Sequence, residues 1–163
     1  MAACRNNHLD IVKLLIEHGA NFHLVNKLGD SALFISYQYE HYDITKYLLD
    51  RGIDINTRGK HGTSLLMKAC EKSHYKFVKY LVSQGANVNH QNDIKDTPLI
   101  YACEQNNFRI IKYLVKHGAF ITLSNKYNDT PLSIASKNNS ILIEKYLKSQ
   151  EGQNKYIKFN IDK

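Results

Sequence analysis

The fold is decided by residues 97–118, which read TPLIYACEQNNFRIIKYLVKHG. Thr97 followed by Pro98 predicts a helix start, because a hydroxyl caps the amides of the first turn and proline suits the first helical position. Two asparagines then interrupt this helix. A second helix is predicted over Phe108 to His117, where apolar residues recur at 3–4 spacing. Gly118 supplies the left-handed residue that ends it. The stretch therefore predicts two helices joined by a short turn.

The same pattern returns along the chain every 33 residues without an insertion. Agreement in several independent columns excludes chance, so the chain is built from repeats. A loop rich in turn-forming residues joins each second helix to the next capping hydroxyl. The recurring columns are Gly19, Gly52, Gly85 and Gly118; Ser31, Ser64, Thr97 and Thr130; Leu33, Leu66, Leu99 and Leu132; Lys13, Lys46, Lys79, Lys112 and Lys145; and Leu15, Leu48, Leu81, Leu114 and Leu147.

These residues resemble the ankyrin repeat. The family's Thr-Pro-Leu start, its Val-Val-Lys helix and its Gly-Ala-Asp-Val-Asn end are matched by residues 96–103, 77–82 and 85–89. The resemblance covers residues 1–150 and implies an all-α solenoid of about 4.5 repeats with hairpin-like loops. The predicted units are a partial one at 1–26, then 27–59, 60–92, 93–125 and 126–150, with a C-terminal tail at 151–163.

Two positions, one in the first helix and one in the loop, depart from the family pattern. The histidine expected in the first helix is replaced in every unit, by Phe34, Met67, Ile100 and Ser133. Lys95 stands at a loop position that is glycine in the family, so we expect that loop to be distorted.

Both ends of the chain also depart from the repeat. Met1 aligns with Phe34, so the chain either begins with a shortened cap or is cut from a longer array. We expect the cut, because an unshielded first repeat would expose apolar surface. Glu151 replaces the closing glycine. In the tail, Ile157, Phe159 and Ile161 alternate with polar residues, which predicts a strand-like segment that either folds over the last repeat or stays loose.

Composition limits the class of protein. The chain has 163 residues and a net charge of +7, which fits one basic domain. The start has no signal-peptide pattern, and the longest apolar run is five residues, far short of the ~18–20 that span a membrane. Three cysteines without a secretory signal favour free thiols in a reducing compartment. We expect an intracellular protein, cytoplasmic or nuclear, that does not insert into membranes.

No residue pattern predicts chemistry. Cys4, Cys70 and Cys103 fall in one column of the repeat, which favours small buried residues over a metal or disulfide set. His8 and His41 fall in another column with His74, at the turn between helices, too far apart to share an ion. Phosphate loops, nucleophile motifs and paired catalytic carboxylates are missing from the sequence. We therefore predict a non-enzyme without cofactor or metal.

The ankyrin resemblance implies that a partner protein docks on the concave side, formed by loop tips and first helices. Residues vary there between units, whereas the scaffold columns stay fixed. Six cations and six carboxylates make the face neutral, and apolar tips suit a protein partner. We predict a monomer that binds an unidentified protein through Leu28, Tyr39, Arg58, Lys60, His61, Glu71, Lys72, Ile94, Glu104, Gln105, Lys126 and Tyr127.

Two other functions stay open. The lysine column of the second helices could meet nucleic acid or an anionic membrane, with salt-dependent affinity. We expect nucleic acid not to be the partner, since no aromatic residues alternate with the lysines as a stacking platform requires. Alternatively, the domain is a regulatory fragment of a larger enzyme.

Overall fold

A computed structural model describes residues 1–27 and 29–159, the last eight of these by their backbone alone. Within these ranges the chain forms ten α-helices and no strand, which confirms the predicted all-α repeat fold. Successive helices are paired as the repeat predicts. The helices are α1 (Ala2–Arg5), α2 (Leu9–Glu17), α3 (Ala32–Gln38), α4 (Tyr42–Asp50), α5 (Leu65–Glu71), α6 (Tyr75–Ser83), α7 (Pro98–Glu104), α8 (Phe108–Lys116), α9 (Pro131–Lys137) and α10 (Ile141–Phe159).

The first helices begin at the predicted caps. The hydroxyls of Ser31, Thr97 and Thr130 each accept the backbone N–H three residues on, at 3.3, 3.2 and 3.1 Å. Each bond satisfies one of the amides that the first turn leaves without a helical partner. Thr130 also forms a reciprocal capping box with Ser133. In these three repeats the first helix therefore starts where the local sequence predicts.

The turn between the two helices of a repeat uses a left-handed residue. In all five repeats this residue is not glycine, and its φ lies between 53° and 64°. Asparagine tolerates this conformation better than other side chains, so Glu40 and Ser73 carry the larger strain. The set is Asn7, Glu40, Ser73, Asn106 and Asn139.

The chain divides into two compact parts, residues 1–65 and the residues from 66 onward. In the first part α1 packs on α3 and α2 packs on α4. Ile44 and Leu48 of α4 are fully buried, whereas their counterparts one repeat earlier, Ile11 and Leu15 of α2, are 46% and 47% exposed. The first repeat therefore exposes the apolar surface that the sequence predicts.

In the second part α6 packs on α8, α7 packs on α9, and α9 packs on α10. The core residues Ile110, Ile111 and Leu114 of α8 are fully buried. Two side-chain bonds also join successive repeats: Asn138 Nδ2 donates to the Cys103 carbonyl at 3.2 Å, and Ser140 Oγ bonds Asn106 Oδ1 at 2.6 Å. Burial and these bonds together hold neighbouring repeats in register.

The predicted strand in the tail is wrong, because the backbone is helical as far as Phe159. Gly19 and its counterparts end the other second helices in a left-handed conformation. Glu151 stands in their place, and a straight-chain residue continues a helix. Of the alternating residues, Ile157 and Phe159 lie in the helix and Ile161 lies outside the described residues.

The expected distortion at Lys95 is also wrong. Lys95 adopts φ 62°, close to Asn128 (φ 61°) one repeat later and Gly62 (φ 69°) one repeat earlier. Its N–H donates to the Asn92 carbonyl at 2.9 Å, as a regular turn requires. The loop keeps its geometry because the backbone of Lys95 absorbs the strain.

Candidate functional site

The loop before α7 is built around a buried asparagine. Asn92 is 7% exposed, and its Oδ1 accepts the backbone N–H groups of Ile94 at 3.1 Å and Asp96 at 2.8 Å. Its backbone N–H donates to the Asp96 carbonyl at 3.1 Å. One side chain therefore closes the loop and fixes the position of its tip.

The loop before α9 repeats this arrangement. Asn125 Oδ1 accepts the N–H groups of Tyr127 and Asp129, both at 2.9 Å, and the Asn125 N–H donates to the Asp129 carbonyl at 3.0 Å. In the first part, Asn26 accepts the Asp30 N–H in the same way at 2.9 Å. The residue type alone predicts these asparagines only as turn formers. Their recurrence at 33-residue intervals was the signal that could have identified them.

The two loops of the second part are also bonded to each other. The Lys126 N–H donates to the Ile94 carbonyl at 2.9 Å, and Asn125 Nδ2 donates to Asp96 Oδ1 at 2.9 Å. Asp96 is 4% exposed, so this second bond is shielded from water. The tips at Ile94 and Tyr127 are consequently held in a fixed relation before any partner arrives.

The tips display apolar side chains. Tyr127 is 70% exposed and Ile94 is 38% exposed, although both stand on loops whose backbone is closed by buried amides. In the first part, Tyr39 is 44% exposed at the end of α3, with the Arg5 guanidinium 5.5 Å from its ring centroid. Exposed aromatic and aliphatic side chains on a fixed backbone are the usual anchors of protein interfaces.

The structure places the predicted contact residues on the surface. Every one that it describes is exposed, and Leu28 lies outside the described residues. The first part carries Tyr39, Arg58, Lys60 and His61, and the second carries Glu71, Lys72, Ile94, Glu104, Gln105, Lys126 and Tyr127.

The loop at Lys60–Gly62 differs from the others because Gly59 replaces the asparagine. A Cβ built on Gly59 would lie 2.7 Å from the ring of Phe34, so the ring packs directly on the glycine backbone. The Gly59 N–H still bonds the Thr63 carbonyl at 2.8 Å. Here an aromatic ring lies against the position that an asparagine side chain occupies in the other loops.

Carboxylates surround Glu104 in the second part. Partial burial raises the pKa of the Glu104 carboxyl, and the charges of Asp96, Glu71 and Asp129 raise it further. Burial and the charges of Asp96, Glu71 and Glu104 raise the pKa of the Tyr101 hydroxyl. The surface beside α7 therefore has a negative potential.

The neutral sum predicted for the whole face combines two unequal parts. In the first part, the predicted face has three cations, Lys27, Arg58 and Lys60, and one carboxylate, Asp30. In the second part, the predicted face has five carboxylates and three lysines: Glu71, Asp93, Asp96, Glu104 and Asp129, and Lys72, Lys126 and Lys137. Two of the acidic neighbours of Glu104 are paired with lysines: Asp129 with Lys137, and Glu71 with Lys68 at 2.7 Å.

A sequence profile of ankyrin repeats in three copies matches residues 1–92 and 66–159. The chain belongs to the ankyrin-repeat family. No curated protein sequence matches it. Ankyrin repeats in general mediate interactions between proteins and are typically not catalytic.

The cysteines of this ankyrin-repeat chain are buried, as predicted. Cys4, Cys70 and Cys103 are at most 3% exposed. Burial, aided by the charge of Glu104, raises the pKa of the Cys103 thiol to about 12, and burial also raises that of Cys70. A thiol that stays protonated is neither a nucleophile nor a metal ligand.

Two features are absent from the part of the chain that the structure describes. Histidine, cysteine and carboxylate side chains nowhere gather in a group of three that could hold a metal ion. None of the helices is long and apolar enough to cross a bilayer.

Aromatic side chains lie beside the lysine column in the second part, although they do not alternate with it. The Arg109 guanidinium lies 4.0 Å from the Tyr75 ring centroid, and Lys79 Nζ lies 6.0 Å from the same centroid. Tyr75 also packs edge-on against Tyr113 at 5.9 Å. The face of the Tyr75 ring is therefore turned to cations of the protein itself.

Proposed function

We propose that this ankyrin-repeat domain is a non-catalytic module that holds a partner protein on its loop tips and the exposed sides of its first helices. The observation that carries the proposal is the pair of asparagine-closed loops that present Ile94 and Tyr127. Apolar anchors inside a polar rim commonly provide most of a protein interface's binding energy. The rim here consists of charged residues such as Glu104 and Lys126.

The proposed mechanism is preorganisation. The tips are held by hydrogen bonds to Asn92 and Asn125, and the loops are bonded to each other through Lys126 and Ile94. Association therefore freezes few backbone angles, and the entropy lost on binding is small. The domain needs neither a cofactor nor another copy of itself for this role, so we propose that it acts as a monomer.

A peptide-display experiment tests the proposal. The purified chain is immobilised, a random peptide library is selected against it, and the affinity of each selected peptide is measured for the wild type and for variants. Replacing Tyr39, Ile94 and Tyr127 together by alanine should weaken binding at least ~100-fold, since each lost anchor costs about 1–2 kcal/mol.

Phe120→Ala is the matched control. Phe120 is 55% exposed and lies in the second part, outside the predicted contact set. Its replacement should leave peptide affinity unchanged. The triple variant and Phe120→Ala should both melt within a few degrees of the wild type, because the deleted side chains are exposed. Selected peptides that bind the triple variant as tightly as the wild type would reject this assignment of the face.

A further inference from the structure

The second helices of the two parts carry opposite charge. Through residue 151, α6, α8 and α10 hold seven cations against two carboxylates. In the first part, α2 and α4 hold two lysines against four carboxylates. The lysine column has a member in each of these five second helices, so the difference in charge between the two parts comes from the neighbouring columns.

Two neighbouring columns exchange acids for bases. The column that holds Asp10 and Asp43 in the first part holds Lys76 and Arg109 in the second. The column that begins with Glu17 and Asp50 reaches Lys116 in α8. All seven cations of α6, α8 and the start of α10 are exposed, and we call them the basic face: Lys76, Lys79, Arg109, Lys112, Lys116, Lys145 and Lys148.

An independent observation indicates which polyanion this face meets. Ile141 and Leu142, at the start of α10, are 67% and 62% exposed. Leu142 continues the column of Lys76 and Arg109, where the other four repeats have charged residues. Residues three and four apart share one side of a helix, so both aliphatics lie beside Lys145.

We propose that the basic face binds an anionic lipid surface. Lysine and arginine are attracted to acidic headgroups over about a Debye length, ~8–10 Å at physiological salt. Ile141 and Leu142 then enter the boundary between headgroups and acyl chains, where exposed aliphatic side chains leave water. The chain lies on the membrane and does not cross it.

Nucleic acid fits these residues less well. Single strands bind by stacking bases on aromatic faces, and the face of Tyr75 is covered by the protein's own Arg109 and Lys79. A phosphate backbone also offers nothing for two exposed aliphatic side chains. The interaction is separate from the proposed protein site, which uses loops and first helices.

Vesicle co-sedimentation of the full chain tests the proposal. Vesicles of phosphatidylcholine with about 30% phosphatidylserine should bind the chain at about 50 mM salt, and release it as salt rises. Vesicles of phosphatidylcholine alone should not bind. Absence of binding to the anionic vesicles would overturn the proposal.

Matched pairs of substitutions locate the surface. Lys79→Gln with Lys112→Gln should lower the partition coefficient about 25-fold, at roughly five-fold per charge. The control pair, Lys13→Gln with Lys46→Gln, removes the same column positions from the first part and should change it less than about two-fold. Equal losses from the two pairs would mean that total charge, and not the basic face, is responsible.

A third variant separates lipid from other polyanions. Ile141→Gln with Leu142→Gln should weaken vesicle binding about ten-fold, since transfer of the two side chains out of water is lost. It should leave binding to a DNA duplex or single-stranded RNA unchanged. Tighter binding to either nucleic acid than to vesicles at the same salt, or no effect of this variant on vesicles, would reject the lipid assignment. All substituted side chains are exposed except that of Lys13, which is half-buried, and thermal melts check that each variant folds.

Discussion

Lys95→Gly should stabilise the protein. The left-handed conformation that Lys95 adopts destabilises the folded state by about 1–2 kcal/mol for a residue with a Cβ. Glycine removes this strain but gives the unfolded chain more freedom, which takes back about 0.5–1 kcal/mol. The hydrogen bond from the residue 95 N–H to Asn92 remains, and the exposed lysine side chain contributes little. The net gain is about 0.5–1 kcal/mol, or roughly 1–4 °C in Tm for a chain of this size.

Calorimetry and urea unfolding measure this gain, and two controls isolate its cause. Lys95→Ala keeps a Cβ and should leave Tm unchanged. Lys126→Gly, in the next loop, lies where φ is not positive, so it should lower stability by about 0.5–1 kcal/mol. If Lys95→Gly lowered Tm as Lys126→Gly does, the strain assigned to Lys95 would be refuted.

Three other perturbations have expected outcomes. Glu104→Gln should raise Tm at pH 7 and leave Tm unchanged near pH 3. Because the pKa of the Glu104 carboxyl is raised in the folded protein, its protonated form stabilises the fold at low pH. This contribution is lost as the pH rises through the folded pKa, and glutamine, which stays neutral, avoids the loss. Melts of both proteins across that range check the sign, and a lower Tm for the glutamine variant at pH 7 would contradict it. Cys70 and Cys103 should resist iodoacetamide at pH 8 until the chain is unfolded, because burial keeps both thiols protonated; mass spectrometry that found rapid native labelling would disprove this. Gly59→Ala should cost about 1–3 kcal/mol, since the Phe34 ring must move away from the new methyl group. The double variant with Phe34→Leu should recover part of that loss, and a single variant as stable as the wild type would show that the contact is not tight.

The sequence predicted the helices because each local signal agrees with its neighbours. Thr97 with Pro98 begins α7, and Gly118 closes the turn after α8, as the spacing indicated. A period of 33 residues multiplies each signal, so that a single weak cap such as Ser31 gains support from the others. Agreement between local propensity and repeat is what makes such a fold readable.

Two predictions failed because a position was judged by residue type alone. Lys95 seemed unfit for a glycine position, but the loop's hydrogen bonds outweigh the strain of one left-handed residue. Alternation of Ile157 and Phe159 suggested a strand, yet nothing after Leu147 stops the preceding helix before them. In both cases the neighbouring structure, the hydrogen-bonded loop at Lys95 and the preceding helix at Ile157, determined the local conformation.

The candidate site was predictable in part. Exposure of Tyr39, Ile94 and Tyr127 follows from their places in the repeat. What could not be predicted was the electrostatics, because counting charges over a face ignores which of them lie near one another. Glu104 has three carboxylates as neighbours, whereas Lys137 is paired with Asp129.

The role of the buried amides has a consequence for how such a surface changes over time. Asn92 and Asn125 hold their loops through backbone groups of the neighbouring residues, so the side chains at 94 and 127 contribute nothing to the closure. Mutation at these two positions can therefore alter which molecules are recognised while foldability is preserved. A lineage, or a designer, could exchange specificity there one residue at a time without first acquiring a compensating change in the scaffold.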